Sequence, residues 1–194
     1  MTPQPLNQRL FMDLMGECPV IPEVKNEAWL NDLPSSDSRI AYILYGDICT
    51  IPRIVSRVKA MGKYAIVHVD LIDGLSSKSI SADFIKQYTD ADGIISTKPA
   101  LIDRANQIGL FTVQRFFMMD GITYANITRY VKQNDPDVVE LMPSGLSKLI
   151  KYLVELISQP VVASGLTQDS EDIIRALSAG AVGVATSNKE LWQC

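Results

Sequence analysis

The chain has 194 residues, enough for one domain with a full-sized core. With 47% apolar and 21% charged residues and no apolar run near the ~18 residues a membrane span needs, it reads as a soluble globular protein with no membrane partner. A net charge of −4 argues against broad electrostatic capture of nucleic acid, and the scattered Cys18, Cys49 and Cys194 spell neither a metal motif nor a disulfide framework, in keeping with a reducing cytosol.

Met1 to Leu14 carries no basic stretch followed by an apolar one, so no secretion signal is expected and the cytoplasm is the expected location. The first short apolar run, PVI, begins at Pro19. After the loop-like NDLPSSDSR (31–39) comes IAYIL from Ile40, then a helical stripe of Ile51, Ile54, Val55 and Val58 with Pro52 at its start and Gly62 past its end. YAIVHV follows from Tyr64 and GIIS from Gly93. Pro99 opens a helix that Gly109 ends, and LFTVQ starts at Leu110. VVEL starts at Val138, Pro143 marks another expected helix start, and Leu146, Leu149, Ile150, Leu153 and Ile157 form the next stripe. PVVAS begins at Pro160. Thr167 is the expected cap of a helix with Asp169, Glu171 and Asp172 in its first turn, Ile173, Ile174 and Leu177 on its apolar face and Gly180 at its end. VGVAT from Val182 is the eighth run.

Runs of four to six nearly all-apolar, β-branched residues are the pattern of strands buried on both faces of a parallel sheet. Eight of them alternating with helices predict an α/β fold: a closed, compact eight-stranded (β/α) TIM-like barrel spanning residues 1–194 as a single domain, with tight loops for so short a chain.

In such barrels chemistry gathers at strand C-terminal ends. The polar residues there are His68 and Asp70 after the third run, Ser96, Thr97 and Lys98 after the fourth, Gln114 and Arg115 on the fifth, Glu140 on the sixth, Ser164 and Gly165 on the seventh, and Thr186, Ser187 and Asn188 on the eighth. Ser164, Gly165, Thr186 and Ser187 make the expected phosphate site, because Gly165 permits close backbone approach and the others add hydroxyl donors. The alternative is that Ser187 or Asn188 only caps a following helix. Arg115 can grip an anion bidentately or serve a structural ion pair. His68 is an acid or base, or a buried core imidazole. Asp70 and Glu140 accept from ligand hydroxyls or pair with Arg115. No dense ligand pattern supports a metal. Lys98 reads as a Schiff-base lysine or, before Pro99, a solvated one. The basic residues Arg53, Arg57 and Lys63, and Lys148 and Lys151, read as solvated faces. Tyr124, Arg129, Tyr130 and Lys132 interleave aromatic and basic groups in a manner that can stack bases.

The segments CPVIPEVKN, VHVDLIDG, DGIISTK, VQRFFMMD, VELMPSG, VVASGL and VATSNKELW, in order along nearly the whole chain, resemble the bacterial glycerol-uptake operon antiterminator family. Two departures are visible: Ser164-Gly165 stands for the family's usual Gly-Gly, and Met142-Pro143-Ser144-Gly145 for its Leu-Pro-Gly. The resemblance implies a short (β/α) barrel that binds glycerol 3-phosphate, without other cofactor, and then acts on leader mRNA of glycerol-metabolism genes to prevent transcription termination. It implies that Ser164, Gly165, Thr186 and Ser187 hold phosphate while His68, Asp70, Ser96, Thr97, Arg115 and Glu140 line the rest of the pocket. The expected protein is thus a non-enzymatic RNA-binding regulator, with homo-oligomerisation open. The competing readings are a small phosphosugar or phosphotriose isomerase or lyase using the same phosphate site, with Asp70, His68 or Glu140 moving protons, and a metabolite sensor acting on a protein partner.

Overall fold

The computed structural model describes residues 4–119 and 121–194, leaving aside the side chains of residues 122–125. Eight strands form one closed, all-parallel barrel in chain order: β1 Val20–Val24, β2 Ile40–Ile43, β3 Tyr64–His68, β4 Gly93–Ser96, β5 Phe111–Phe117, β6 Val138–Met142, β7 Val161–Ser164 and β8 Gly183–Thr186. The outer helices are α2 Glu27–Asp32, α3 Ile51–Ala60, α4 Ile80–Tyr88, α5 Pro99–Gln107, α6 Gly121–Asn134, α7 Ser147–Leu156 and α8 Ser170–Ser178. The expected barrel is observed.

Strand alternation divides the apolar residues into a lumen and a jacket. Ile21, Ile40, Ile66, Ile95, Val113, Val138, Val162 and Ala185 point inward and fill the barrel. Their strand neighbours point outward and meet the helices in two clusters, one over β1 to β4 and one over β5 to β8. A helix the apolar runs did not reveal, α1 Gln8–Glu17, precedes the barrel. Its Phe11, Leu14 and Met15 plug the N-terminal end of the lumen, with Phe11 stacked 5.3 Å from Phe111. The eighth strand is followed by a single 3-10 turn, Lys189–Leu191, in place of a full helix.

Three expectations of local structure change. Asp169, whose side chain accepts from the Asp172 amide, caps α8, while the Thr167 hydroxyl donates to Ser144. Pro143 lies in the β6–α7 loop after a cis Met142–Pro143 bond and does not open a helix. Cys18 and Cys194 are disulfide-bonded, with Cα atoms 5.6 Å apart. Spacing along the sequence conceals this pair because it is made by barrel closure. The C-terminal segment lies along the barrel wall, held by Trp192, whose Nε1 donates to the Thr186 carbonyl and whose own carbonyl accepts from the Ser36 hydroxyl.

Gly93 faces Phe111 across the β4–β5 pair, and a Cβ there would lie 2.3 Å from the Phe111 carbonyl oxygen. Backbone cannot swing aside as a side-chain tip can. Gly93→Ala is therefore expected to cost about 3 kcal/mol, read as a lowered midpoint in urea denaturation. An unchanged midpoint would mean that the two strands part freely.

Candidate functional site

The C-terminal ends of β1, β5, β6, β7 and β8 surround an open cavity of about 650 Å³. Its wall includes Lys25, just past β1, Gly165 and Gln168 after β7, and Thr186, Ser187 and Asn188 from β8 onward, with Glu23 and Arg115 also exposed to it. Leu44, Phe117, Met142 and Leu166 supply apolar surface. Three of the four residues expected to hold phosphate thus meet here: Gly165, Thr186 and Ser187.

Local chemistry fixes each of them. Gly165 adopts φ +75, a conformation that favours glycine, and a Cβ on it would meet only the movable end of the Met142 side chain, so the loop needs glycine for its conformation. Ser144 pins this loop, donating to the Gly165 carbonyl through both its amide and its hydroxyl. The Thr186 hydroxyl accepts from the Asn188 amide at 3.0 Å, and Asn188 in turn accepts from Glu190 and donates to the Gln168 carbonyl. Asn188 therefore caps the short 3-10 turn and ties the β7 and β8 loops together. Ser187 accepts from Lys25 Nζ at 2.7 Å. The Lys25 ammonium also sits over the Trp29 ring, 5.6 Å from its centroid, which holds the cation at the cavity edge.

Lys25 is the site residue that the sequence reading passed over. The rule applied to six other strand ends, a polar residue directly after an apolar run, selects it from VIPEVK at the end of β1. Ser164, the fourth expected phosphate residue, is fully buried and points into the lumen.

Arg115 takes up the structural ion pair, one of its two expected roles. Its Nε and Nη2 donate to the two Glu140 carboxylate oxygens at 2.7 and 2.9 Å, and Nη2 also reaches Glu23 at 3.0 Å. All three residues are buried, so this is an ion-pair network spanning the barrel from β1 to β5 and β6, and it forms part of the cavity floor. Burial, reinforced by Glu140, raises the Glu23 carboxyl above its ordinary value despite Arg115.

Asp70 lies outside the cavity wall and is committed elsewhere. Its carboxylate accepts from the Ser96 hydroxyl at 2.6 Å and from the Thr97 amide and hydroxyl at 2.8 Å each. Burial opposes its charge, but these donors hold its pKa below the usual carboxylate range. Asp70, Ser96 and Thr97 thus brace the β4–α5 loop against β3. His68 is 3% exposed, and burial, aided by the Arg115 guanidinium, pushes its imidazole down to about 4.

On the barrel exterior, Arg129 packs over the Tyr130 ring at 5.0 Å from its centroid, and Lys132 is exposed. The Tyr124 side chain lies outside the described residues. On α7, Lys148 stands 5.8 Å from the Tyr152 ring centroid. Of the earlier basic set, Arg57 pairs with Glu27, and Lys63 is buried against the carbonyls of Ser36 and Ser38. Among the described residues no cluster of three or more His, Cys, Asp or Glu has the makings of a metal site, and no helix is long and apolar enough to cross a membrane.

The family model described as glycerol-3-phosphate responsive antiterminator matches residues 20–192. An uncharacterized protein of Escherichia coli K12, YgcP, is 41% identical over 182 residues, which is 94% of this chain and 95% of that one. The crystal structure of a glycerol uptake operon antiterminator regulatory protein from Listeria monocytogenes superposes with a TM-score of 0.87 at 30% identity, covering 90% of this chain and 95% of its own. A glycerol uptake operon antiterminator-related protein from Thermotoga maritima superposes with a TM-score of 0.79 at 25% identity, covering 89% and 96%.

Proposed function

Since the chain belongs to the glycerol-3-phosphate responsive antiterminator family, we propose that it senses glycerol 3-phosphate in the cavity and, so loaded, binds leader mRNA of glycerol-metabolism genes to prevent termination. The observation that carries this reading is the seat of Lys25. Its ammonium is fixed by Ser187 and Trp29 at the edge of a cavity that also receives Arg115, Thr186 and the glycine turn at Gly165. A held cation, hydroxyls and a close-approach backbone together suit a small phosphate monoester.

The same geometry weighs against the isomerase or lyase reading. Of its proton-transfer candidates, Asp70 is saturated by Ser96 and Thr97, Glu140 is engaged by Arg115, and His68 is sealed from the cavity. A regulator needs no proton transfer.

RNA is the partner in this reading, and the barrel exterior is its place, because the cavity admits only a small molecule. Arg129, Tyr130 and Lys132 on α6 offer charge and a ring for stacking. Ligand control requires glycerol 3-phosphate to bind the RNA-competent state more tightly than the other. By reciprocity, leader RNA raises affinity for glycerol 3-phosphate by the same factor. Calorimetric titration of the ester with and without leader RNA is expected to show tighter binding in the presence of RNA. Equal affinities would remove the regulator reading, and turnover of the ester would return the enzyme.

A further inference from the structure

On the outside of the barrel, α7 and α8 enclose a groove of about 470 Å³ that gathers cations on an acidic chain. Lys148 and Lys151 from α7 and Arg175 from α8 wall it, together with Ile174 and Ser178. Helical spacing places them there. Ile150 and Leu153 are the buried residues of α7, so Lys148, Lys151 and Tyr152 turn outward. The Lys148 ammonium stands 5.8 Å from the Tyr152 ring centroid, and the ring remains 42% exposed. On α8 the buried residue is Ala176, which leaves Ile174 60% exposed beside Arg175. Arg175 pairs with Glu171 and, at 4.0 Å, with Asp172 of its own helix. Both members of the Glu171 pair are well exposed, so it holds little energy and yields to a stronger anion.

The chain itself joins this groove to the cavity. The loops that lead into α7 and α8 form part of the cavity wall, through Met142 and Pro143 on one and Gly165 to Gln168 on the other. The two loops are also tied to each other. Ser144 donates to the Gly165 carbonyl through its amide and its hydroxyl, and accepts from the Thr167 hydroxyl at 3.0 Å. Leu166, in the second loop, holds φ +60, a strained setting for leucine of the kind that gathers at switch segments. Whatever shifts these loops shifts the seats of both helices, and so the spacing of the cations between them.

We propose that the α7–α8 groove is the ligand-sensitive part of the RNA surface, taking the phosphates of a single-stranded segment on Lys148, Lys151 and Arg175 and a base on Tyr152. The inference rests on the RNA reading above and adds which face of the barrel the ester controls. A single strand is the occupant the groove fits. Of the side chains walling it three are cations and one, Ile174, is a large apolar group. Lysine is depleted in the cores of protein–protein interfaces, whereas cations beside an exposed ring suit a phosphate chain with unpaired bases. The neighbouring α6 adds the charges of Arg129 and Lys132, but its Tyr130 ring packs against the core. With a net charge of −4 the chain as a whole repels RNA, so contact is confined to a few phosphates at such a cluster.

The test titrates a labelled leader transcript of a glycerol-metabolism gene from the source genome, with and without saturating sn-glycerol 3-phosphate and over a range of salt. Four proteins are compared: the wild type, Lys148→Gln with Lys151→Gln, Tyr152→Leu, and Arg53→Gln with Lys78→Gln. The last pair removes two exposed cations from the opposite side of the barrel. Loss of both lysines is expected to weaken binding by the ester-loaded protein at least about tenfold. It also flattens the dependence of log affinity on log salt by about 1.4, at about 0.7 per phosphate. Tyr152→Leu is expected to cost about tenfold, one stacked base, with the salt slope unchanged. In both groove variants the gain in RNA affinity from the ester falls below that of the wild type. Calorimetry without RNA still finds wild-type affinity for the ester, since none of the three residues lines the cavity. Arg53→Gln with Lys78→Gln keeps the wild-type affinity, slope and gain.

An equal loss in that control pair would reduce the effect to overall charge and overturn the groove. Wild-type RNA affinity in both groove variants overturns it as well and leaves α6 as the surface. If those variants instead change the sedimenting mass of the chain, the groove is a contact between copies. Weakened RNA binding with an undiminished gain from the ester overturns the link to the cavity. If the wild type binds no leader RNA with or without the ester, the RNA reading itself fails and takes this inference with it.

Discussion

Arg115→Met is expected to destabilise the fold by about 3–5 kcal/mol at neutral pH, the cost of leaving buried carboxylates without their cation. Methionine nearly fills the space of the arginine stem, so the loss is electrostatic rather than a cavity effect. Glu140 is fully buried and receives two hydrogen bonds from Arg115, while Glu23 receives one. The pH dependence has a definite sign. Without Arg115 the buried Glu23 carboxyl is held further above its unfolded value of 4.5, a direction already present in the intact network, where burial outweighs Arg115. Below that value both folded and unfolded chains hold the proton, and the deficit is least. As pH rises the unfolded chain releases the proton more readily, so the deficit grows until the raised folded pKa is passed. Urea denaturation of the variant and wild type at several pH values between acid and neutral reads this directly. Replacing the whole network by Glu23→Leu, Arg115→Met and Glu140→Leu is expected to recover most of the lost stability, since apolar groups carry no desolvation cost. A flat, pH-independent difference between Arg115→Met and the wild type would dismiss the ion-pair account.

That network also marks the boundary of what the sequence discloses. The barrel was legible because burial on both faces forces nearly continuous apolar runs, as in IAYIL and PVVAS, and helices of one-sided periodicity must lie between them. The helix α1 was not, because it plugs the end of the lumen and belongs to no β/α unit. Gly165, Thr186 and Ser187 were found by a rule of position, and the same rule would have found Lys25 had it been applied to the first strand. Of the partners of Arg115, Glu140 was among those expected, but Glu23 was not legible: it is 92 residues away in sequence, and only closure of the barrel brings it across the lumen. The same closure joins Cys18 to Cys194, 176 residues apart. Asp70 shows the converse limit. Its place at a strand end made it a ligand candidate, but the side chain turns to the neighbouring loop, and no one-dimensional pattern reports that choice.

Ser187→Asp is expected to lower affinity for glycerol 3-phosphate by at least about 100-fold while leaving the fold intact. Ser187 accepts from the Lys25 ammonium and lines the cavity. A carboxylate in its place draws Lys25 into an ion pair, so the ligand loses its cation and gains a negative neighbour at once. Two unit charges about 4 Å apart interact by about 1 kcal/mol in water and about 4 kcal/mol near a protein surface. A phosphate monoester carrying more than one negative charge feels a multiple of this, and every 1.4 kcal/mol is about tenfold in affinity. The fold is spared because a new, half-exposed Asp–Lys pair contributes only about 0–1 kcal/mol. Two companions separate the terms. Lys25→Met removes the cation without adding a charge and is expected to cost about tenfold, and Ser187→Ala, which leaves Lys25 charged, about twofold. Calorimetric titration with glycerol 3-phosphate and with inorganic phosphate gives the order wild type, Ser187→Ala, Lys25→Met, Ser187→Asp from tightest to weakest. The order is the same for both anions, because all three substitutions act on the phosphate and none on the alcohol end. Wild-type affinity in Ser187→Asp would place the phosphate elsewhere in the barrel and return the strand ends of β1 and β8 to a purely structural role.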